Sequence, residues 1–248
     1  MSETRHLPAT GNTVAPPLIF ACVGDKGGTG KTTVATNLAA ELQHRYGRVL
    51  LVDGEGRDAK AWAERGRDSR HEPSTPTTVD MGADMHRSGQ LPAMRMQYAH
   101  IVIDTPPGDQ TGPTKIRRSA LLVADVAIVI CRPSQHNLNA IGLTLDLLDE
   151  VRETVRPDLK AALVITHAPS TRTRIMERSI IALRGEQDIH VCQNMLTLRN
   201  APIGEAEAAG VGITVYKPKS KAAFEMRALA DELLQLATGR EGLTNVAA

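Results

Sequence analysis

Lys26-Gly27-Gly28-Thr29-Gly30-Lys31-Thr32-Thr33 decides how this 248-residue chain folds. On its amino-terminal side lies Leu18-Ile19-Phe20-Ala21-Cys22-Val23, a short apolar run that reads as a buried strand. On its other side, Val34-Ala35-Thr36-Asn37-Leu38-Ala39-Ala40-Glu41-Leu42 carries apolar residues at helical spacing. A strand, a glycine-rich loop ending in Gly-Lys-Thr and a helix form a phosphate cradle, because the glycines let successive backbone N–H groups turn inward. The helix that begins at Lys31 adds the positive end of its dipole. Gly27, Gly28, Thr29, Gly30 and Thr33 are therefore expected around the phosphates, with Lys31 reaching the β- and γ-phosphates and the Thr32 hydroxyl on Mg²⁺. The spacing implies a nucleoside triphosphate.

Two later segments repeat the pattern of a buried strand ending on acids. Arg48-Val49-Leu50-Leu51-Val52-Asp53-Gly54-Glu55 precedes a stretch containing Trp62, and His100-Ile101-Val102-Ile103-Asp104 runs into Thr105-Pro106-Pro107-Gly108. Further strands are expected over 75–80, 124–131 and 159–166. Helical spacing marks 83–98, 136–152, 172–184 and 222–237, and Arg65 to Pro73 reads as a polar loop. Apolar strands alternating with helices imply an α/β fold, a mostly parallel twisted sheet covered by helices on both faces. Ligands in such sheets sit at the carboxyl ends of strands, which is where Lys26, Asp53 and Asp104 fall.

The lysine that opens the loop, Lys26, is more than a plain phosphate loop requires. With it, the loop resembles the deviant Walker A motif of the ParA/MinD family of dimerising P-loop ATPases. The Asp53–Glu55 and Asp104–Gly108 segments fall where that family has its second acidic motif and its Walker B strand, and the likeness runs from about residue 18 to residue 238. The resemblance implies a slow ATP hydrolase, stimulated by a partner, that uses ATP and Mg²⁺ and forms a homodimer with ATP. It implies that Lys26 reaches across the dimer to the partner's nucleotide, much as an arginine finger does. Asp104 would orient Mg²⁺ through a water. Lys26, Lys31, Glu55 and Asp53 make up the expected catalytic set, with Asp53 also beside the metal. One departure stands out: where the family has Asp, this chain has Glu55, followed by Gly56-Arg57 in place of Pro-Gln. The added methylene moves the carboxylate by about an ångström, a displacement that can change a rate on the order of a hundredfold.

ParA-type proteins bind duplex DNA non-specifically, and a ParB-like or other centromere or cargo adaptor then stimulates hydrolysis to move plasmid, chromosome or protein cargo. Lys217, Lys219 and Lys221 lie within five residues that include no acid, Arg172, Arg174 and Arg178 form a second basic run, and Arg199 opens the following segment. Runs of this kind are commonly solvated faces. The resemblance implies phosphate contacts instead. It also places Pro218 beside the nucleotide base. Plasmid partition, chromosome segregation, positioning of a protein assembly and aid to conjugative DNA transfer share this site, and the residues do not name the cargo.

Composition narrows the rest. A net charge of +1 supplies no global field for nucleic acid, so any such contact comes from a local patch. Aromatic residues make up only 2% of the chain, too few for a base-stacking platform. Cys22, Cys131 and Cys192 are widely spaced and read as buried thiols in a reducing compartment, which argues against an iron–sulfur carrier. Tyr216 stands alone where a related tyrosine kinase would carry a cluster. The end of the chain, 238–248, lacks the basic amphipathic character of a MinD-like membrane anchor. A dethiobiotin-synthetase-like ligase generally lacks the leading lysine. The expected organisation is a disordered arm over 1–17, one ATPase domain over 18–238 and a flexible tail over 239–248. With the loop starting so early, the chain resembles the short form without an N-terminal helix-turn-helix domain. The expected location is cytoplasmic, with nucleoid association in the ATP state.

Overall fold

The computed structural model describes residues 17–67, 74–108, 112–133, 141–169, 188–197 and 200–239. Its centre is a sheet of seven strands: β1 (Leu18–Val23), β2 (Val49–Asp53), β3 (Thr77–Asp80), β4 (His100–Asp104), β5 (Val126–Cys131), β6 (Lys160–Ile165) and β7 (His190–Val191). Their order is β3-β2-β4-β1-β5-β6-β7, and every neighbouring pair is parallel. The helices are α1 (Lys31–Tyr46), α2 (Asp58–Arg67), α3 (Leu91–Met94), α4 (Gly112–Val123), α5 (Gly142–Thr154), α6 (Asn200–Ala208), α7 (Ile213–Tyr216) and α8 (Lys221–Thr238).

Strand residues point alternately to the two faces. In β1, Ile19, Ala21 and Val23 join a core with Leu121 of α4 and Leu148 and Val151 of α5. Leu18, Phe20 and Cys22 join the opposite core, with Val34 and Leu38 of α1, Trp62 of α2 and Leu229 and Leu233 of α8. Because both faces are covered, the inner strands are apolar between their ends, as the sequence led us to expect. The three cysteines are free and buried. The parallel register sets Cys22 and Asp53 on either side of Asp104, so the ends of β1, β2 and β4 open onto one place.

The elements differ from the sequence reading where backbone chemistry overrides periodicity. The helix expected over 83–98 is replaced by turns, the short α3 and a 3-10 turn at Arg95–Gln97. Pro92 sits at the start of α3 and has no N–H for an earlier turn to use, so a continuous helix cannot pass through it. Met85 still reaches the core, whereas Met96 is 81% exposed. The polar loop expected from Arg65 instead begins as the last turn of α2. Helix α5 starts at Gly142, and residues 136–140 of the expected helix lie outside the described residues, as does the helix expected over 172–184. The arm through residue 16 and the tail from residue 240 lie outside them too. Helices α2, α4, α6 and α7 and strand β7 were not anticipated. Among the described residues no helix is long and apolar enough to cross a membrane.

His100 opens β4, packed edge-on to Tyr46 with 4.8 Å between ring centroids and near Phe20 at 6.3 Å. Burial lowers its pKa from the ordinary 6.5 to about 4. Between those values the unfolded chain binds more protons than the folded one, so stability rises with pH in that window. Stability is therefore expected to fall as pH drops from 6.5 towards 4, with no further loss from this group below 4. Denaturant titrations of the wild type and His100→Phe across that range check it, the variant showing the shallower decline.

Candidate nucleotide-binding site

Between β1 and α1 the chain forms an open nest. Gly28 and Gly30 take φ values of 72° and 95°, a left-handed backbone that side chains disfavour. Lys31 starts α1 and is buried, and its Nζ donates to the Lys26 carbonyl at 2.9 Å. Burial lowers the Lys31 pKa, and the charge of Asp104 partly opposes that. The Thr29 hydroxyl also donates to the Lys26 carbonyl, at 3.3 Å, and Thr166 at the end of β6 donates to the Thr29 carbonyl at 2.5 Å. Side chains thus hold the loop open, and a cleft of about 340 Å³ lies above it. Gly27, Gly28, Gly30, Lys31, Thr32 and Thr33 line its floor.

The acids gather on the opposite wall. Asp104 is buried, and burial raises its pKa to about 7, with a hydrogen bond from Thr32 pulling the other way and the charge of Asp53 adding to the rise. Its Oδ1 has no hydrogen-bond partner among the described residues. An orphaned carboxylate oxygen beside a threonine hydroxyl is the oxygen donor set that a hard divalent cation such as Mg²⁺ takes, so Thr32 and Asp104 fit the metal expected here.

Asp53 does different work. Its Oδ1 accepts from the backbone N–H groups of Glu55 at 3.0 Å and Gly56 at 2.8 Å, and its Oδ2 accepts from the Lys60 N–H at 2.9 Å. The carboxylate therefore closes the 53–56 turn and caps the start of α2. That turn carries Glu55 to the exposed rim of the cleft. Asp58, also exposed, lines the same cleft, and its charge adds to the raised pKa of Asp104. Nothing in its sequence surroundings singled out Asp58. Gly54 packs so closely that an added Cβ would lie 2.9 Å from the Asp104 carbonyl oxygen and 3.0 Å from Ile116.

A second cleft of about 300 Å³ adjoins the first through Gly30, Thr33 and His167. Its walls are largely apolar, with Val34, Leu196 and Ile203, while Glu207 takes a 2.6 Å hydrogen bond from the Thr33 hydroxyl. His167 has a positive φ of 52° and lies 3.2 Å from an Arg132 nitrogen. The signal that would have found His167 was its place just past the carboxyl end of β6. Pro218 is absent from the linings of both clefts, and its carbonyl accepts from Arg227 at 2.9 Å. Lys217, Lys219 and Lys221 are exposed at the entry to α8, and Lys217 is paired with Glu205 at 2.6 Å. Arg172, Arg174, Arg178 and Arg199 lie outside the described residues.

Residues 20–236 match the family model of the CobQ/CobB/MinD/ParA nucleotide-binding domain. The chain is 29% identical over 242 residues to the chromosome-partitioning ATPase Soj of Thermus thermophilus, covering 87% of this chain and 94% of that one. It is 32% identical over 218 residues to the maintenance of carboxysome distribution protein A of Gloeobacter kilaueensis, covering 84% of this chain and 82% of that one. The ATP complex of Cyanothece McdA superposes with a TM-score of 0.67 at 15% identity, over 92% of this chain and 99% of that one, a likeness of fold.

The contact at Gly54 ties the acidic turn to the strand that carries Asp104. Gly54→Ala is expected to cost about 1–3 kcal/mol of stability, as overpacking does. Thermal unfolding should show the loss, and Mg²⁺-dependent nucleotide affinity, measured on the folded variant, should weaken as the Asp104 carbonyl shifts.

Proposed function

The chain belongs to the CobQ/CobB/MinD/ParA nucleotide-binding family, and from that membership and the geometry of its site we propose that it is a ParA-like ATPase. In this reading it forms a sandwich dimer with ATP and Mg²⁺, binds duplex DNA non-specifically in that state, and is released when an adaptor protein stimulates hydrolysis. The observation that carries it is the division of labour between two lysines of one loop. Lys31 is buried in its own cleft, while Lys26 is exposed at the loop's head and its ammonium has no partner among the described residues. An exposed cation at the head of the loop, unpaired among the described residues, supports the reading that Lys26 serves the site of another subunit.

Lys31 and the amides of Gly27 to Thr32 hold the phosphates, Lys31 exchanging the Lys26 carbonyl for a phosphate oxygen. Thr32 and Asp104 would hold Mg²⁺, which when bound neutralises charge on the β- and γ-phosphate oxygens. Glu55, exposed at the rim, orients the attacking water, and Asp53 acts through it by fixing the turn. The neighbouring apolar cleft suits the nucleobase. In this reading the side chain of Glu55, one methylene longer than the aspartate of the family, slows the turnover.

DNA contact follows the dimer, since two weak basic patches acting together bind far better than one. Lys219 and Lys221 are the stronger candidates in the patch, because Lys217 already faces Glu205. The likeness to a protein named for carboxysome distribution favours protein cargo as a second reading, with the same DNA surface.

Binding to non-specific duplex DNA at two salt concentrations, with ATP, with ADP and without nucleotide, tests the proposal. Salt-sensitive binding confined to ATP is expected. Lys219→Ala with Lys221→Ala should flatten the salt dependence by about two phosphate contacts per protomer, Lys217→Ala by less. Glu55→Ala should keep the protein on DNA long after excess ATP is removed. DNA binding that ignores the nucleotide, or none at all, contradicts the reading.

A further inference from the structure

Asp25 is out of place by charge. It precedes Lys26 at the head of a loop that is read as an anion cradle, where a carboxylate repels the ligand. Its surroundings account for it. Asp25 Oδ1 accepts from Arg117 Nη1 of α4 in a short ion pair, and Oδ2 accepts from the Thr144 hydroxyl of α5 at 2.5 Å. The side chains of the pair are only 7% and 4% exposed, for Asp25 and Arg117 respectively. Arg117 also reaches Thr144 and Thr114, each at 3.4 Å. The guanidinium presses against the turn after β4: a Cβ built on Gly108 would lie 2.0 Å from Arg117 Nη2. Four pieces of chain therefore meet at one buried ion pair: the loop head, the turn after Asp104, α4 and α5.

A buried ion pair is poor evidence of stability, because desolvation offsets much of the attraction. What it does well is fix one arrangement, since removing either charge strands the other. Both members also act on the phosphate-binding lysine, Asp25 favouring its charged form and Arg117 opposing it. We propose that Arg117 is a positioning residue of the nucleotide site: it cancels the Asp25 carboxylate and locks the head of the phosphate loop to the turn after Asp104, so that the site favours the more highly charged nucleotide. This rests on the reading of the cleft as an ATP site. It adds residues outside the Gly-Lys-Thr loop and the two acidic strands, and it gives Asp25 a reason to be tolerated.

The test is equilibrium binding of fluorescent ATP and ADP analogues, with Mg²⁺, to the full chain and to three variants whose folding is checked by circular dichroism. Arg117→Met strands the Asp25 charge, so ATP affinity should fall on the order of tenfold and ADP affinity by clearly less. Asp25→Asn leaves Arg117 positive, so the preference for ATP should hold or rise. The double variant Asp25→Asn/Arg117→Met should return the ATP:ADP ratio to within about threefold of the wild type. Should Arg117→Met not fold, Gly108→Ala displaces the guanidinium from the other side and should lower the ratio in the same way. If Arg117 only packs the core, both single variants lose stability, the ATP:ADP ratio stays at the wild-type value and the double variant is no better than either, which overturns the proposal. A wild type that binds neither nucleotide overturns the ATP-site reading and the proposal with it. A wild type that binds ATP with an unmoved ratio in every variant overturns the proposal alone.

Discussion

A phosphate-binding loop must leave its own backbone N–H groups unused, and the structure around residues 24–33 is built to meet that constraint. Backbone amides that point at a ligand site cannot hold the loop in shape, so side chains hold its carbonyls. The Lys26 carbonyl takes Lys31 and Thr29, and the Thr29 carbonyl takes Thr166. Left-handed glycines supply the curvature without side-chain strain. Beneath the loop, Gly24 passes so near β5 that a Cβ there would lie 3.0 Å from the Ile130 carbonyl oxygen. The parallel sheet brings these supports together, because strands that run the same way end on the same edge.

The site is equally constrained in charge. Lys31 and Asp104 are both buried, and burial shifts each towards its neutral form. Each is the other's main electrostatic relief only in part, since Asp53, Asp58, Asp25 and Arg117 also act on them. Such a balance leaves the cleft ready for a ligand that brings negative phosphates to Lys31 and a cation to Asp104 at once. Asp53 adds its charge to that balance, while its oxygens accept from backbone amides and close the turn that carries Glu55.

Much of this was legible in the sequence because it depends on local rules. Apolar strands buried on both faces, a glycine loop before a helix, and acids closing two strands are short-range patterns, and Lys31, Thr32, Glu55 and Asp104 line one cleft, with Lys26 exposed at the head of the loop. What could not be read depends on long-range contact or on a single residue's backbone chemistry. Pro92 broke the helix that the spacing over 83–98 suggested. The pairing of Arg117 with Asp25, 92 positions apart, depends on where α4 lies and leaves no local signal in the sequence. Asp53 looked catalytic by position, and only the turn showed where its oxygens go. His167 and Glu207 come from segments with no motif, brought to the loop by the sheet order and by α6.

The central claim is that Lys26 acts on a nucleotide held by a second copy of the chain. Light scattering of the purified protein with ATP, ADP and no nucleotide measures this directly when wild type and Lys26→Ala are compared. A mass that doubles with ATP alone in the wild type, and stays monomeric in a Lys26→Ala variant that still binds ATP, is the expected result. A Lys26→Ala protein that dimerises with ATP as the wild type does, or a wild type that stays monomeric with ATP, would contradict it.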